Sequence, residues 1–385
     1  MHNHPILVLG GGQLGLMMAE AAIHLGVVVD RLDTANDKLM PGTSNLRVDT
    51  TLDFLVDRYA VITAEMEHLP DSGLVNGLRL SERWMNGSAF DILPGRNQQK
   101  RLLDEIGVHN APWKMLHAQD DMLSAHDSLG ETLVVKTTRG GYDGKGQWVV
   151  SRGDDQDIPA SAFGELIAEQ KVSFSREVSL VGARSEDGQT LFYPLAENHH
   201  HNGILRFSIA PAMGVGKLGD SANFANLANL QSEAERMLTK IMTKLNYVGV
   251  MAMECFEVDG ELMVNELALR VHNSGHWSQT GSCVSQFNLH IRALSGVRFP
   301  QEPVYQPTLM INLIGCEYHP RWHQIDGVHC YWYGKERRAH RKLGHINMTG
   351  STSFEIQQKA DALRPLLDAE HQSMLDKALA LINSH

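Results

Sequence analysis

The chain has 385 residues, a formal net charge of −11 and a pI near 6.0. That length supports about two or three domains, each with its own core. The acidity argues against general binding to nucleic acid or acidic membrane, both of which need a basic footprint, and leaves room for an anionic small substrate held by local basic groups.

The opening MHNHPILVLGGG enters a strand and a glycine turn at once, so no secretory leader is expected. Residues 6–22 read as strand, turn and helix, in which Gly10, Gly12 and Gly15 satisfy G-x-G-x-x-G and Asp30 follows a second apolar run. Taken literally this is a dinucleotide fingerprint. Such a turn accepts any phosphate or ribose that can meet backbone N–H groups at a helix N-terminus, and a small anionic ligand other than a nicotinamide nucleotide is the expectation. The run 58–70 reads as a later strand of the same α/β unit, with Glu65 and Glu67 at its C-terminal end. Open α/β sheets bind ligands there, although acids at a helix N-terminus would look the same. Pro94-Gly95 marks a boundary, and a helix beginning near Arg96 leads into a second unit.

Residues 133–150, LVVKTTRGGYDGKGQWVV, read as strand, glycine-rich turn and strand, with Lys136 ending the first strand. Gly140, Gly141, Gly144 and Gly146 can donate backbone N–H groups to nucleotide phosphates. Lys136, Arg139, Asp143 and Lys145 add more charge than a plain turn requires. This is not a Walker A loop, since no Ser or Thr follows Gly144-Lys145 and a strand comes next. Residues 165–185 alternate as two antiparallel strands. In the tract 197–212, alternation puts His199 and His201 opposite His200, and no metal is expected there because partner ligands are scarce. Residues 221–244 read as an amphipathic helix.

The stretch 247–277 concentrates the chemistry. An apolar strand, the turn Val258-Asp259-Gly260 and a second strand make a hairpin in which Glu254 and Glu266 lie symmetrically about Gly260. With a three-residue loop the two would face each other, and two carboxylates that close need a proton or cation between them. Mg²⁺ suits such a pair; a surface hairpin with its acids in water is the plainer alternative. Arg270, His272, Asn273, Ser274, Gly275 and His276 then form a polar loop directly after the strand. A helix follows, with Phe287, Leu289, Ile291 and Leu294 facing the core. Residues 307–350 read as short strands with a basic loop at 335–347, itself no more than a solvated charge cluster by composition, and 352–382 as a terminal helical segment. Cys255, Cys283, Cys316 and Cys330 show no C-x-x-C spacing and read as reduced, mostly buried thiols of a cytoplasmic protein. No apolar run approaches the roughly eighteen residues of a membrane span.

Taken together, VLGGGQLGLMM, VVKTTRGGYDGKGQW, EQKVSFSREVSLVGAR, YVGVMAMECF, VNELALRVHNSGHW and RKLGHIN, in that order, resemble the 5-(carboxyamino)imidazole ribonucleotide synthase family of ATP-grasp enzymes of bacterial and fungal purine biosynthesis, over residues 5 to about 350. The resemblance implies an α/β (α+β) ATP-grasp architecture: a Rossmann-like N-terminal domain (1–99), an ATP-grasp domain (100–297) and a C-terminal domain (298–385). It implies the substrates ATP, bicarbonate and aminoimidazole ribonucleotide, with ATP phosphorylating bicarbonate to carboxyphosphate. Arg96, Lys136, the loop Gly141, Tyr142, Asp143, Gly144, Lys145, Gly146 and Gln147, the segment Glu169, Gln170, Lys171 and Val172, and Glu177, His200, Asn265 and Glu266 would contact ATP. Glu254 and Glu266 would hold Mg²⁺. Arg270 would stabilise carboxyphosphate, Tyr142 and Asp143 would approach the amine, and Arg341 and Lys342 would bind the ribonucleotide phosphate. Gly12, Gln13 and Leu14, with Glu65, His272 and Asn273, would complete the ribonucleotide site; Asp143, Arg270 and Lys342 would be catalytic. A homodimer is implied as well. Leu16, Leu269 and Ala339-His340 depart from the family pattern, where Arg, Pro and Pro-Gly are usual, and the loss of proline removes a φ constraint beside Arg270. The rival readings are another ATP-grasp carboxylate–amine ligase or formyl-transferring relative, a nicotinamide-dependent dehydrogenase, and a non-catalytic nucleotide-binding regulator.

Overall fold

The computed structural model describes residues 4–140, 146–154, 158–212 and 221–384. The N-terminal unit comprises β1 (Ile6–Leu9), α1 (Gln13–Ile23), β2 (Val29–Asp33), β3 (Lys38–Met40), α2 (Leu52–Arg58), β4 (Val61–Ala64), α3 (Gly73–Leu80) and α4 (Gly87–Ile92). Its sheet runs β3-β2-β1-β4, with β1 parallel to β2 and β4. The four residues of β1, ILVL, are all fully buried, as a central parallel strand covered on both faces demands.

Helix α5 (Arg96–Glu105) carries the chain into a four-stranded antiparallel sheet, ordered β5-β8-β6-β7, of β5 (Trp113–Leu116), β6 (Thr132–Thr137), β7 (Gln147–Ser151) and β8 (Leu166–Gln170), with α6 (Asp121–Leu129) before β6. Leu116, Leu133, Val135, Leu166 and Ala168 give it a small core of its own. The two strands read at 165–185 belong to different sheets: β8 lies here, and β9 (Arg176–Arg184) begins the large one.

That third sheet has nine strands. It contains β9, β10 (Thr190–Phe192), β11 (Ala196–His201), β12 (Ile204–Ala210), β13 (Gly249–Val258), β14 (Glu261–Ala268), β15 (Thr308–Ile314), β16 (Val328–Trp332) and β17 (Lys342–Thr349), in the order β14-β13-β9-β11-β12-β15-β17-β16 with β10 on β9. The β12–β15 pairing is antiparallel and continuous, so residues on both sides of position 298 share one sheet. Helix α7 (Ser221–Lys244) precedes β13; α8 (Ser278–Gly281) and α9 (Gln286–Ser295) follow β14. Ser285 caps α9 by accepting from the Asn288 N–H at 3.2 Å, and Gly296, at φ +70°, ends it. Phe287, Leu289, Ile291 and Leu294 are all buried. The terminal helical segment is two helices, α10 (Ser353–Leu363) and α11 (Ala369–Ser384), because Pro365 cannot continue the first. Among the described residues, no helix is long and apolar enough to cross a membrane. All four cysteines are free thiols; Cys255 and Cys316 are buried but Cys283 is exposed, a departure from the mostly buried set expected.

Candidate active site

The glycine turn is occupied by the protein itself. Glu65, just past β4, accepts hydrogen bonds from the N–H groups of Gly12 and Gly15, both at 2.5 Å, at the N-terminus of α1. Gly10 has φ +128°, and an added Cβ would overlap the Glu65 side chain, so glycine is required there twice over. Burial raises the Glu65 carboxyl, against the two N–H bonds and the charges of Lys335 and Arg31. The anion expected at this turn is therefore a carboxylate of the chain, which disfavours a ligand phosphate and suits a hydroxyl-bearing one. Asp30, the acid of the fingerprint, is buried and accepts from the Gly42 N–H at 2.7 Å and the Tyr59 hydroxyl at 2.6 Å. Both features on which a dehydrogenase would rest are thus used internally.

The acidic hairpin forms for a different reason from the one expected. Its loop is two residues, Asp259 and Gly260, both at positive φ (51° and 84°) as a type I′ turn needs. That register alone would set Asn265 opposite Glu254. A β-bulge between Glu254 and Cys255 inserts one extra residue, so Cys255 pairs with Val264 and Glu254 with Glu266. Asn265 and Glu266 both turn away from the core, whereas Val264 and Leu267 on either side are buried. Burial raises the Glu254 carboxyl to about 7, with Glu266 and Glu177 adding and His200 and Arg270 opposing. A carboxylate that other carboxylates push upward is one that a hard cation would relieve, and two such oxygen donors fit Mg²⁺ whose remaining positions go to phosphate and water. Among the described residues no group of three or more potential His, Cys, Asp or Glu ligands converges; in the histidine tract His199 stacks on the core residue Phe207 while His200 lies against Glu177, on opposite faces as expected, and the register shift with β12 leaves its extra residue, Arg206, on that other strand.

The loop after β14 is braced from several sides. Arg270 Nε lies 3.2 Å from Glu67 Oε1, and its Nη1 donates to the Val271 carbonyl at 3.1 Å. Gln286, fully buried on α9, accepts from the His272 N–H at 2.9 Å and donates to the His272 carbonyl at 2.7 Å and to His276 Nδ1 at 2.9 Å. His272 Nδ1 is 3.7 Å from Glu254 Oε1. Burial, then nearby positive charge, lowers His272 and His276 well below the ordinary imidazole value, so both are neutral. The Asn273 amide is buried without a hydrogen-bond partner on either atom. Leu269 is buried, and its carbonyl accepts from the Tyr247 hydroxyl at 2.7 Å, a bond that restrains the segment leading to Arg270.

On the opposite side, Lys136 Nζ is 2.7 Å from Glu169 Oε2 and donates to Asn265 Oδ1 at 3.3 Å, linking the small sheet to the hairpin. Glu169 Oε1 is 3.1 Å from Lys100 Nζ. Gln170 and Lys171 donate their N–H groups to the carbonyls of Pro112 and Thr132. Arg96 donates to the carbonyls of Thr137 (2.9 Å) and Gly140 (2.7 Å), bracing the base of the glycine loop. Of that loop's expected contacts, Gly146 and Gln147 are described, while Gly141, Tyr142, Asp143, Gly144 and Lys145 lie outside the described residues. His200 Nδ1 is 2.7 Å from Glu177 Oε2; burial lowers this imidazole, but Glu177 and Glu254 more than offset it and the net shift is upward.

Strand β17 brings the basic segment to the same place. Lys342 opens it, and its charge acts on His200, His272, His276 and His345. Arg341 donates to the Glu336 carbonyl at 3.1 Å. Lys335 stands over the Tyr333 ring at 5.6 Å, lowered by burial and Arg341 and supported by Glu65. The loop read as a solvated cluster therefore reaches the N-terminal glycine turn. A pocket lined by Glu67, His68, Leu69, Arg79, Phe90, Asp91, Pro94 and Arg139 opens beside Arg270's partner. Lys100, Gln286 and Lys335 were not singled out from the sequence. Nothing marks a buried lysine or glutamine within a helical pattern, whereas Lys335 next to Tyr333 in a basic run was at least a visible signal.

Comparison with known proteins gives three consecutive family matches: the ribonucleotide synthetase preATP-grasp domain over residues 4–82, the ATP-grasp domain over 101–287, and the phosphoribosylaminoimidazole carboxylase C-terminal domain over 308–359. The chain is 42% identical to the N5-carboxyaminoimidazole ribonucleotide synthase of Escherichia coli K12 over 368 residues, covering 96% of each. It is 41% identical to that of Haemophilus influenzae over 374 residues, covering 97% of this chain and 96% of the relative. Among solved structures, the synthetase from Thermus thermophilus superposes with a TM-score of 0.80 at 32% identity, covering 94% of this chain and 98% of that one. The Aspergillus clavatus synthase in complex with ADP and 5-aminoimidazole ribonucleotide superposes with a TM-score of 0.79 at 25% identity, covering 98% and 100%.

Proposed function

The chain belongs to the N5-carboxyaminoimidazole ribonucleotide synthase family of ATP-grasp ligases, and from that premise we propose that it carboxylates the exocyclic amine of 5-aminoimidazole ribonucleotide with bicarbonate, converting ATP to ADP and phosphate in purine biosynthesis. The observation that carries the reading is the hairpin-and-loop unit, in which Glu254 opposes Glu266 and leads directly into Arg270 and the Gln286-pinned loop.

In this reading ATP lies between Lys136, the glycine loop and β8, with His200 and Glu177 on its ribose side. Glu254 and Glu266 would hold Mg²⁺, which when bound offsets phosphate charge in the transfer to bicarbonate. Arg270, preorganised by Glu67, stabilises the carboxyphosphate anion, where fixed cationic donors act most strongly. His272 and His276, being neutral, donate or accept hydrogen bonds without adding charge. Asp143 and Tyr142 meet the amine, Lys342 and Arg341 take the ribonucleotide phosphate, and Glu65 with Gln13 and Leu14 faces the ribose. The formyl-transferring and other carboxylate–amine alternatives leave unexplained the match to the phosphoribosylaminoimidazole carboxylase C-terminal domain over 308–359. A homodimer in the cytoplasm completes the reading, and four free thiols accord with a reducing compartment.

The test is ADP release from purified protein with ATP, Mg²⁺ and bicarbonate, with and without aminoimidazole ribonucleotide. Ribonucleotide-dependent release is expected; release indifferent to the ribonucleotide would move the assignment to another acceptor.

A further inference from the structure

Glu169 is held between two lysines. Lys136 reaches Oε2 at 2.7 Å from the small sheet, and Lys100 reaches Oε1 at 3.1 Å from α5. The Lys100 and Glu169 side chains are 3% and 5% exposed, and that of Lys136 12%. Lys100 also donates to the Ala111 carbonyl at 3.3 Å, which fixes its ammonium beside Oε1.

Charge counting gives this arrangement a purpose. A lone Lys136–Glu169 pair would be neutral, and a phosphate would have to compete with the carboxylate for the lysine's ammonium. With Lys100 present, two ammonium groups share one carboxylate, and the surplus positive charge sits on the member that is not sealed in. Burial raises the Glu169 carboxyl, yet the two lysines outweigh it and hold the group below its ordinary value, so it remains ionised. In a dry site such a surplus is felt strongly, because little solvent screens it. We propose that Lys100 is a positioning residue for ATP: it engages one side of the Glu169 carboxylate and so frees the Lys136 ammonium for nucleotide phosphate. The inference rests on the reading that Lys136 contacts ATP.

Removing one member of a buried charged group is costly. The variants Lys100→Met, which removes the charge, and Lys100→Arg, which keeps it, therefore separate charge balance from packing. Calorimetric titration with the non-hydrolysable imido analogue of ATP and Mg²⁺ gives affinities, and circular dichroism reports folding. For Lys100→Met we expect analogue binding weakened by about tenfold or more, a shift of one decade in Kd, with KM for the ribonucleotide unchanged. Lys100→Arg, which keeps the positive charge on Glu169, should bind the analogue within about threefold of the parent.

Parent-like binding by a folded Lys100→Met protein overturns the inference, as does a folded Lys100→Arg protein that binds no better than Lys100→Met. If Lys100→Met does not fold, Lys100→Gln, which keeps a hydrogen-bond donor without the charge, decides: a loss of about tenfold or more supports the inference, and parent-like affinity overturns it. Lys136→Met separates the two readings. If it binds like the parent, Lys136 is not an ATP contact and both readings fall; if it loses binding while Lys100→Met does not, only this inference falls.

Discussion

Arg270 and Glu67 meet at 3.2 Å although one follows the last strand of the acidic hairpin and the other follows β4 of the N-terminal sheet. Burial raises the Glu67 carboxyl and the Glu266 charge adds to it, while Arg270 opposes both. The pair joins the N-terminal unit to the chemistry. Glu67→Gln keeps the shape but loses a charge-assisted bond of about 1.5–3 kcal/mol, so kcat should fall by about 10- to 100-fold with little change in KM for ATP. Steady-state kinetics checks this. An unchanged kcat would mean that Arg270 holds its position without Glu67.

The Glu254–Glu266 pair makes a prediction about metal. Glu266→Gln removes one of two charged oxygen donors, and turnover at ordinary Mg²⁺ should be lost, with the half-saturating Mg²⁺ concentration of any residual activity raised by about tenfold or more. Activity titrated against Mg²⁺ measures it directly. Normal turnover in this variant would remove the metal from the hairpin.

In the proposed reading Lys342 holds the ribonucleotide phosphate, a group that does not react. Lys342→Ala should raise KM for the ribonucleotide by about tenfold or more, the cost of one charge-assisted contact, and alter kcat less, as loss of uniform binding energy does. A variant whose KM equals that of the parent would take Lys342 out of the ribonucleotide site.

His290 is one of several buried imidazoles that contribute to acid stability. Fully enclosed, it accepts from the Val250 N–H at 2.9 Å, and burial lowers its imidazole from 6.5 to about 4. Gly249 lets the ring pack against the backbone, since a Cβ there would sit 2.8 Å from His290 Cε1. The folded state thus binds this proton less readily than the unfolded one. Its stabilising contribution is complete above pH 6.5 and is lost as pH falls from there through about 4, amounting to roughly 3 kcal/mol. Melting temperature should begin to drop below pH 6.5, ahead of the carboxylates, and His290→Gln, which keeps an acceptor without a charge, should make that drop smaller, with His272, His276 and His345 supplying the remainder. A parent melting temperature constant between pH 7 and 5 would contradict the assignment.

The elements read well because each carried its own local signal. Helix α7 matches residues 221–244, β6 and β7 flank the glycine loop as expected, and the core positions of α9 are all buried. What was not legible depended on partners distant in sequence. The Glu254–Glu266 pairing was anticipated through a three-residue loop, whereas it rests on a two-residue loop corrected by a bulge at Asn265, and a bulge has no periodicity to reveal it. The glycine turn looked like an anion site because the sequence could not place Glu65 against the N–H groups of Gly12 and Gly15, some fifty residues away. Lys100 and Gln286 sit in ordinary amphipathic patterns, and their roles arise only when α5 and α9 are set against β8 and the site loop.

The central claim is tested most directly by following isotopically labelled bicarbonate into product with purified protein, ATP, Mg²⁺ and aminoimidazole ribonucleotide. The account predicts one label in the carboxylated ribonucleotide for each ADP formed, and no incorporation by an Arg270→Ala protein that still binds ATP. ADP formed without label in the ribonucleotide, or label incorporated equally well without Arg270, would contradict it.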